Sequence, residues 1–204
     1  MGFIRQGGKP DNCKATVMNK AMELLQEALR QDDDHVEIAE SKAAESLAML
    51  RQLSDGSTGR RDELYARMAA ALLYLATLHH RLSRNAEAEL KCEEALKIFR
   101  NLAVAASGFD EPIALALNVL GDLHTDTLRD GGVDNKLAER EYAESIGIYR
   151  SLATAKPDEF ECEVARILRK LSCVHCETGR TDEGWREYAE SAKLFRKLGI
   201  KEEC

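Results

Sequence analysis

Four stretches share one pattern: ESKAAESLAMLRQLS at 40–54, ELKCEEALKIFRNLA at 89–103, EREYAESIGIYRSLA at 139–153 and WREYAESAKLFRKLG at 185–199. Each contains a glutamate six residues before an arginine, and a leucine or an aromatic residue directly precedes that arginine. The spacing between successive arginines is 49, 50 and 46 residues: Arg51, Arg100, Arg150 and Arg196. Such a period predicts a stack of similar units, each completing its core against its neighbours. The repeated glutamate and arginine are too far apart to pair on one helix, so we expect them to contact the adjacent unit.

The hydrophobic pattern throughout the chain is that of α-helices. In residues 86–103, apolar or small side chains recur at steps of three or four, and charged residues occupy the opposite face. No segment alternates for long enough to predict a strand. The breakers predict eight helices, at 13–31, 35–54, 60–83, 86–106, 110–129, 135–155, 157–178 and 182–199.

Several residues have the chemistry of helix ends. Asp110 and Thr181 are expected to cap the fifth and eighth helices, because their side-chain oxygens can accept backbone N–H bonds. Pro157 is expected in the first turn of the seventh helix, where its missing N–H costs nothing. Gly179 suits the left-handed residue that ends that helix. The acidic run Asp32–Asp34 is interpreted as the beginning of the second helix.

The composition excludes several classes of protein. The chain has 204 residues, 44% of them hydrophobic, and a net charge of −7. An acidic balance argues against nucleic-acid binding, and no apolar run approaches the ~20 residues that span a bilayer. Residues 1–10 are polar and glycine-rich without the apolar stretch of a secretory signal. We therefore expect a flexible lead, a cytoplasmic location and six reduced cysteines.

Two motifs resemble the tetratricopeptide repeat family. The segment LALNVLGDLH at 115–124 supplies the Leu-Gly pair of a first helix, Leu120 and Gly121. The second-helix pattern is a small residue, an aromatic four later and a small residue three after that. It occurs twice, as Ala138, Tyr142, Ser145 and as Gly184, Tyr188, Ser191. The chain resembles this family over residues 60–199, in the long-repeat variety of kinesin light chain arrays. The helix at 13–31 lacks the Leu-Gly pair, and its Ala21, Leu25 and Ala28 fit a second helix instead, which leaves its register open.

This resemblance implies an all-α fold, a right-handed α-solenoid of about four antiparallel helix pairs. We expect a single domain over residues 11–204 after the lead at 1–10. Its units are expected at 13–54, 60–106, 110–155 and 157–199.

The resemblance also implies a function, because first helices in this family line a concave groove that binds extended peptides. The groove residues it implies here are Tyr74, Thr77, Arg81, Asn118, Asp122, Arg166, Arg169 and Lys170, together with Leu73, His80, Val119, Thr125, Asp126, Cys173 and Glu177. Arg166 and Lys170 match the basic pair of the family's carboxylate clamp for chaperone tails. Leu73, Thr77 and Val119 replace its other members, which disfavours that ligand.

The leading hypothesis is a non-enzymatic interaction module without a cofactor, whose basic strip attracts an acidic segment of a protein partner. A solvated basic face explains the same residues equally well. The last helix pair carries exposed apolar residues and no capping helix, so a homodimer through this pair is one expected remedy.

A second hypothesis is a metal- or small-molecule-responsive regulator that uses Cys162, Cys173, His175 and Cys176. Structural zinc needs four ligands, and only one close cysteine pair is present. The histidines His79, His124 and His175 occupy the same place in successive units, roughly 10 Å apart as neighbouring helix layers are. That distance is too large for one ion, so they are interpreted as packing residues. We recognise no catalytic motif and expect no enzyme.

Overall fold

The computed structural model describes residues 10–31, 35–54, 61–129 and 135–200. Within them every regular element is an α-helix: α1 (Pro10–Leu29), α2 (Val36–Ser54), α3 (Arg61–Arg81), α4 (Asn85–Ala105), α5 (Asp110–Arg129), α6 (Asn135–Ala155), α7 (Pro157–Glu177) and α8 (Thr181–Lys197). The all-α prediction is confirmed, and each predicted helix end lies within three residues of the observed one. The run Asp32–Asp34, the glycine pair Gly131-Gly132 and residues 1–9 lie outside the described residues.

Each helix packs mainly on the helix before it and the helix after it. Short connections therefore join antiparallel neighbours, and the chain is an all-α solenoid of four TPR-like helix pairs. The first helices of the pairs are α1, α3, α5 and α7, and the second helices are α2, α4, α6 and α8. Buried alanine, leucine and aromatic side chains fill the space between successive helices.

Small residues bring the two helices of each pair close together. The first helices carry a buried small residue at the same place: Ala28, Ala76, Gly121 and Ser172. At Gly121 the approach is so close that an added Cβ would lie 2.5 Å from Cε1 of Tyr142. The aromatic ring of α6 thus occupies the space that glycine leaves on α5.

A buried hydroxyl fixes the register in three of the pairs. Each serine of a second helix donates to a carbonyl oxygen of its first helix: Ser46 to Ala21 at 2.6 Å, Ser145 to Ala114 at 2.7 Å and Ser191 to Ala165 at 2.7 Å. Ala95 has this place in the second pair, so small size is the shared requirement and the hydroxyl adds to it.

The same hydroxyl bonds settle the register of α1, which is a first helix. Because Ala21 has the place of Ala114, Ala28 falls at the place of Gly121 and Glu27 at the place of Leu120. The register that the sequence left open is therefore that of a first helix, and Glu27 explains why the Leu-Gly pair is missing. Where α3 buries Ala71, Leu75 and Leu78, α1 has Glu23, Glu27 and Arg30. The outer face of α1 is thus polar.

The helix ends confirm two expectations and correct two. Pro157 begins α7, and Gly179 follows that helix at φ 80°, with the Arg180 N–H donating to the His175 carbonyl at 2.8 Å. Asp110 and Thr181 do not occupy cap positions, because each is the first residue of its helix. The preceding residues, Phe109 and Arg180, supply the carbonyl that accepts the first helical bond.

The close contact at Gly121 predicts a sharp difference between two glycines. Gly121→Ala is expected to lower the free energy of unfolding by about 1–3 kcal/mol, because the new methyl group displaces the Tyr142 ring from a packed core. Gly147 is the matched control: it lies exposed inside α6, where an added Cβ would have no neighbouring atom within 4 Å. Gly147→Ala should raise stability by about 0.5–1 kcal/mol. Urea denaturation measures both, and equal effects of the two substitutions would contradict the packing described.

Candidate functional site

A cleft of about 270 Å³ opens between three of the first helices. It is lined by His80 from α3, Asp122, Thr125 and Asp126 from α5, Tyr142 from α6, and Lys170 and Cys173 from α7. We call these seven residues the first-helix cleft. Six of them were expected to line the groove, and the structure brings those six together. The seventh, Tyr142, is a core residue whose hydroxyl reaches the cleft.

The polar groups of the cleft are connected through Asp122 and Lys170. Tyr142 donates its hydroxyl to one carboxylate oxygen of Asp122 at 2.8 Å, and Lys170 donates to the other at 2.7 Å. Lys170 also donates to the side-chain oxygen of Asn118 at 3.0 Å. These two bonds use two of the three N–H donors of the ammonium group. Burial, aided by the charge of Asp122, raises the pKa of Tyr142, so this hydroxyl remains a proton donor.

His80, Thr125 and Asp126 also have polar partners. His80 Nε2 lies 2.7 Å from an Asp126 carboxylate oxygen. The Thr125 hydroxyl donates to the Gly121 carbonyl at 2.8 Å. The cleft thus presents the Lys170 ammonium beside the carboxylates of Asp122 and Asp126 rather than a single sign of charge.

Nine of the expected groove residues lie outside the cleft lining. Among them, Asn118 bonds to Lys170, and Glu177 is exposed at the end of α7. Arg166 is exposed and donates to Glu163 of the same helix at 2.6 Å. Arg81 is also exposed on α3. Tyr74 donates to the Ala28 carbonyl at 2.8 Å, and Thr77 donates to the Tyr74 carbonyl at 2.7 Å. The guanidinium of Arg169 lies over the rings of Tyr188 and Phe195, at 5.3 Å from each centroid.

Leu73 and Val119 were expected in the groove, and the structure corrects this. Both side chains are buried in the hydrophobic core, because their helices turn that face toward neighbouring helices.

The histidine of each repeated unit lies between carboxylates of two second helices. For His124, Nδ1 is 2.6 Å from Glu141 and Nε2 is 3.2 Å from Glu89. The bond to Glu141 raises the pKa of His124 above its ordinary value. The packing interpretation holds in that His79 and His175 are buried, but sequence reasoning missed their acidic partners. The signal was present, since Glu40, Glu89 and Glu139 recur in register with the histidines.

The other two histidines repeat this arrangement with an added arginine. His79 Nε2 lies 3.0 Å from Glu40, and His175 Nδ1 lies 2.8 Å from Glu187. Arg84 then donates to Glu40 at 2.7 Å. Arg180 donates with two nitrogens to Glu139, at 2.7 and 2.6 Å, and this pair holds the pKa of Glu139 down at about 2.

A ladder of ion pairs joins successive second helices, as the repeat predicted. Arg51 pairs with Glu94 at 2.9 Å, Arg100 with Glu144 at 2.6 Å and Arg150 with Glu190 at 2.6 Å. We call these pairs the second-helix ladder. All six side chains are half exposed, so each pair contributes at most about 1 kcal/mol. The ladder therefore orients neighbouring units more than it stabilises them.

The cysteine and histidine residues of the metal hypothesis do not converge. Among the described side chains, no group of three histidine, cysteine or acidic residues could hold a metal ion. Cys173 and Cys176 are exposed thiols, Cys162 is half-buried, and none of these is in a disulfide. His175 faces the carboxylates of Glu187 and Glu139 instead. Across the described ranges, no helix has the length and apolar character that a membrane span requires.

Comparison with known proteins gives similarity to solved structures alone. No protein-family model matches the chain, and no curated protein matches it. The crystal structure of MamA is similar at 15% identity and a TM-score of 0.49, covering 97% of this chain and 99% of that chain. The de novo designed helical repeat protein DHR64 is similar at 16% identity and a TM-score of 0.44, covering 92% and 95%. BtubC (BKLC) from P. vanneervenii is similar at 12% identity and a TM-score of 0.38, covering 95% and 94%. The helical-repeat architecture of this chain is defined by its own helix order and contacts.

The raised pKa of His124 predicts that its contribution to stability depends on pH. The folded state favours the protonated ring, so the contribution is complete below the ordinary histidine pKa and is lost as pH rises through the folded pKa. His124→Asn should therefore cost about 1.5–3 kcal/mol at pH ~6, the range for hydrogen bonds to charged groups, and less at pH ~9. Denaturation of both proteins at the two pH values measures this difference. A cost that is constant or grows with pH would contradict the assignment.

Proposed function

We propose that this chain is a non-enzymatic protein-interaction module that binds an acidic peptide or helix across its first helices. The anchors are Lys170 in the first-helix cleft and Arg166 one turn earlier on α7. Asn118 and Asp122 hold Lys170, and the flanking groove residues Tyr74, Thr77, Arg81 and Arg169 complete the proposed contact set. The observation that carries this proposal is the Lys170 ammonium, held by α5 side chains at the edge of an open cleft.

The geometry of Lys170 supports the recognition of a carboxylate. Two of its donors are directed to Asp122 and Asn118, and the third can bond to a ligand carboxylate in a charge-assisted hydrogen bond. Because Asp122 and Asn118 already restrain the side chain, a ligand loses little rotamer entropy when it binds there. The restrained Lys170 thus fixes the direction of the hydrogen bond, and the ligand carboxylate supplies the opposite charge.

Arg166 supports the same ligand from a more exposed position. The Arg166 side chain is 59% exposed in its ion pair with Glu163. This pair therefore contributes little to stability, and a ligand carboxylate can replace Glu163. Residues 166 and 170 are one helical turn apart, about 6 Å along the axis. Two carboxylates on neighbouring turns of a helix, or on alternate residues of an extended peptide, match this spacing.

The charges in the cleft also favour binding over catalysis. An acid–base catalyst needs groups whose environments separate their pKa values. Here Asp122 and Asp126 are paired with Lys170 and His80, each at 2.7 Å. The cleft opens to solvent along α3, α5 and α7, whereas reactions at charged groups generally need water to be excluded.

The proposal predicts that charge reversal on α7 abolishes acidic-peptide binding. Arg166→Glu with Lys170→Glu should weaken binding of a labelled poly-glutamate peptide by about tenfold or more, because two charge-assisted bonds are replaced by repulsion. Fluorescence anisotropy at low salt measures the affinity. The same pair of variants then serves in affinity capture from the native source.

Two controls distinguish binding in the groove from a general effect of charge and from loss of the fold. Lys97→Glu with Arg140→Glu makes the same charge change at exposed residues of the second helices α4 and α6, and peptide binding should persist. Lys170→Met removes the ammonium without placing a new charge beside Asp122, and a cooperative thermal transition then shows that the fold is intact. Equal loss in the groove and control pairs, or unchanged binding in the groove pair, would overturn the proposal.

We also propose that the chain self-associates through its C-terminal helix pair. Trp185 is 66% exposed and Ile200 is 42% exposed at this end of the stack. Phe195 is buried beneath Arg169, so the exposed apolar surface is concentrated at Trp185 and the flanking Tyr188 ring, whose centroids are 5.9 Å apart.

A further inference from the structure

One face of α8 carries five exposed residues in a regular order: Asp182, Trp185, Ala189, Lys193 and Arg196. The steps between them are three, four, four and three residues, which confines them to about 80° of the helix circumference. We call these five residues the α8 stripe. It extends over about 21 Å of the helix, and its spacing and the opposite charges at its two ends are symmetric about Ala189.

The charged members of the stripe have no ion-pair partner among the described residues. Arg51, Arg100 and Arg150 have the place of Arg196 in the other units, and each is paired through the second-helix ladder. Arg196 is exposed, and no glutamate pairs with it in the described part of the chain. Asp182 and Lys193 are likewise exposed and unpaired within the described part of the chain.

Trp185 replaces a carboxylate at this end of the stack. The corresponding residues of the other second helices are Glu40, Glu89 and Glu139, and each accepts contacts from the histidine of the next unit. An indole cannot make that contact, so a further unit of the same kind has no acceptor here. A large aromatic residue at a mostly exposed site is instead typical of the centre of an interface.

We infer that α8 packs antiparallel against α8 of a second copy, about a two-fold axis at Ala189. Under this symmetry, a stripe residue that precedes Ala189 by a given number of positions faces the residue of the second copy that follows Ala189 by the same number. Asp182 therefore faces the second copy's Arg196, and Trp185 faces the second copy's Lys193. The first is an ion pair, and the second is a cation–π contact. Ala189 faces Ala189 of the second copy, and this small side chain permits close approach of the two helices.

This arrangement is an isologous dimer, and it deepens the proposed self-association without depending on the first-helix cleft. A head-to-tail stack would pair Arg196 with Glu45, the exposed residue of α2 that has the place of Glu94, Glu144 and Glu190 in the other units. That stack would also place Trp185 and Tyr188 against the polar outer face of α1, with Glu23, Glu27 and Arg30. Because charged side chains would be buried there without apolar contacts, the two-fold arrangement is favoured.

The interface is one helix from each copy, so we expect it to bury less than the ~1,200 Å² of a standard stable complex. We therefore expect a reversible dimer that forms in the micromolar range. Sedimentation velocity of the full chain across this range should show a shift from monomer to dimer. Trp185 is the single tryptophan of the chain, so its emission should move to shorter wavelength as the dimer forms.

Charge exchange within one chain tests the symmetry directly. Asp182→Lys and Arg196→Glu, each alone, should weaken dimerisation by at least about tenfold, because each places like charges opposite one another. The double variant Asp182→Lys with Arg196→Glu should restore it, because the two-fold axis brings the exchanged charges together again. Circular dichroism of each variant establishes that the helices are intact.

Two matched variants separate the two-fold dimer from other modes of assembly. Glu183→Lys makes the same charge change one residue from Asp182 but on another face of α8, and dimerisation should be unchanged. Glu45→Lys should also have no effect, whereas in a head-to-tail stack it would weaken assembly. A chain that stays monomeric throughout the range, or a double variant that is not rescued, would overturn the inference. Poly-glutamate binding measured in the same variants reports on the cleft separately.

Discussion

The close approach of two helices at one small residue is the constraint on which the structure depends. Ala28, Ala76, Gly121 and Ser172 have the same place on the four first helices, and a small residue of the second helix lies buried in each pair. Where this contact is tightest, the Tyr142 ring lies against Gly121 and its hydroxyl emerges at Asp122. The packing contact and the cleft are therefore joined through a single side chain.

Two kinds of polar contact repeat between successive units. The histidine–glutamate contacts lie at the ends of the first helices, and the second-helix ladder runs along the other helices. Ion pairs at exposed positions contribute little free energy, but their register is specific, since a shift of one helical position would separate every pair. Apolar burial thus supplies most of the stability, and the polar contacts select one arrangement of the stack.

The repeat made the helices, their ends and the second-helix ladder predictable, because each follows from spacing along one chain. Six residues of the cleft were also predictable from the family resemblance, although Leu73 and Val119 were misplaced into it. Three features depended on contacts between helices that spacing does not encode. The histidines bond to glutamates of the preceding second helix, Arg169 covers Tyr188 and Phe195, and the register of α1 follows from the Ser46–Ala21 bond.

The acidic net charge and the proposed acidic ligand are compatible because the charges are distributed unevenly. Many carboxylates of the described residues are paired within or between units, and Lys170 and Arg166 present cations at the first helices. The end faces differ in the same way: α1 has a polar outer face, and α8 has an exposed tryptophan. The first-helix cleft and the α8 stripe lie on different helices of the stack.

Thiol protection tests the proposed site most directly, because the chain supplies its own probe and its own control. Cys173 lines the first-helix cleft, and Cys176, three residues later on α7, is also exposed but lies outside the cleft lining. Iodoacetamide alkylation of the full chain, followed by mass spectrometry of both sites, measures their rates with and without the poly-glutamate peptide. Binding in the cleft predicts that the peptide slows alkylation of Cys173 and leaves Cys176 unchanged. Equal rates at Cys173 with and without saturating peptide would contradict binding in the cleft.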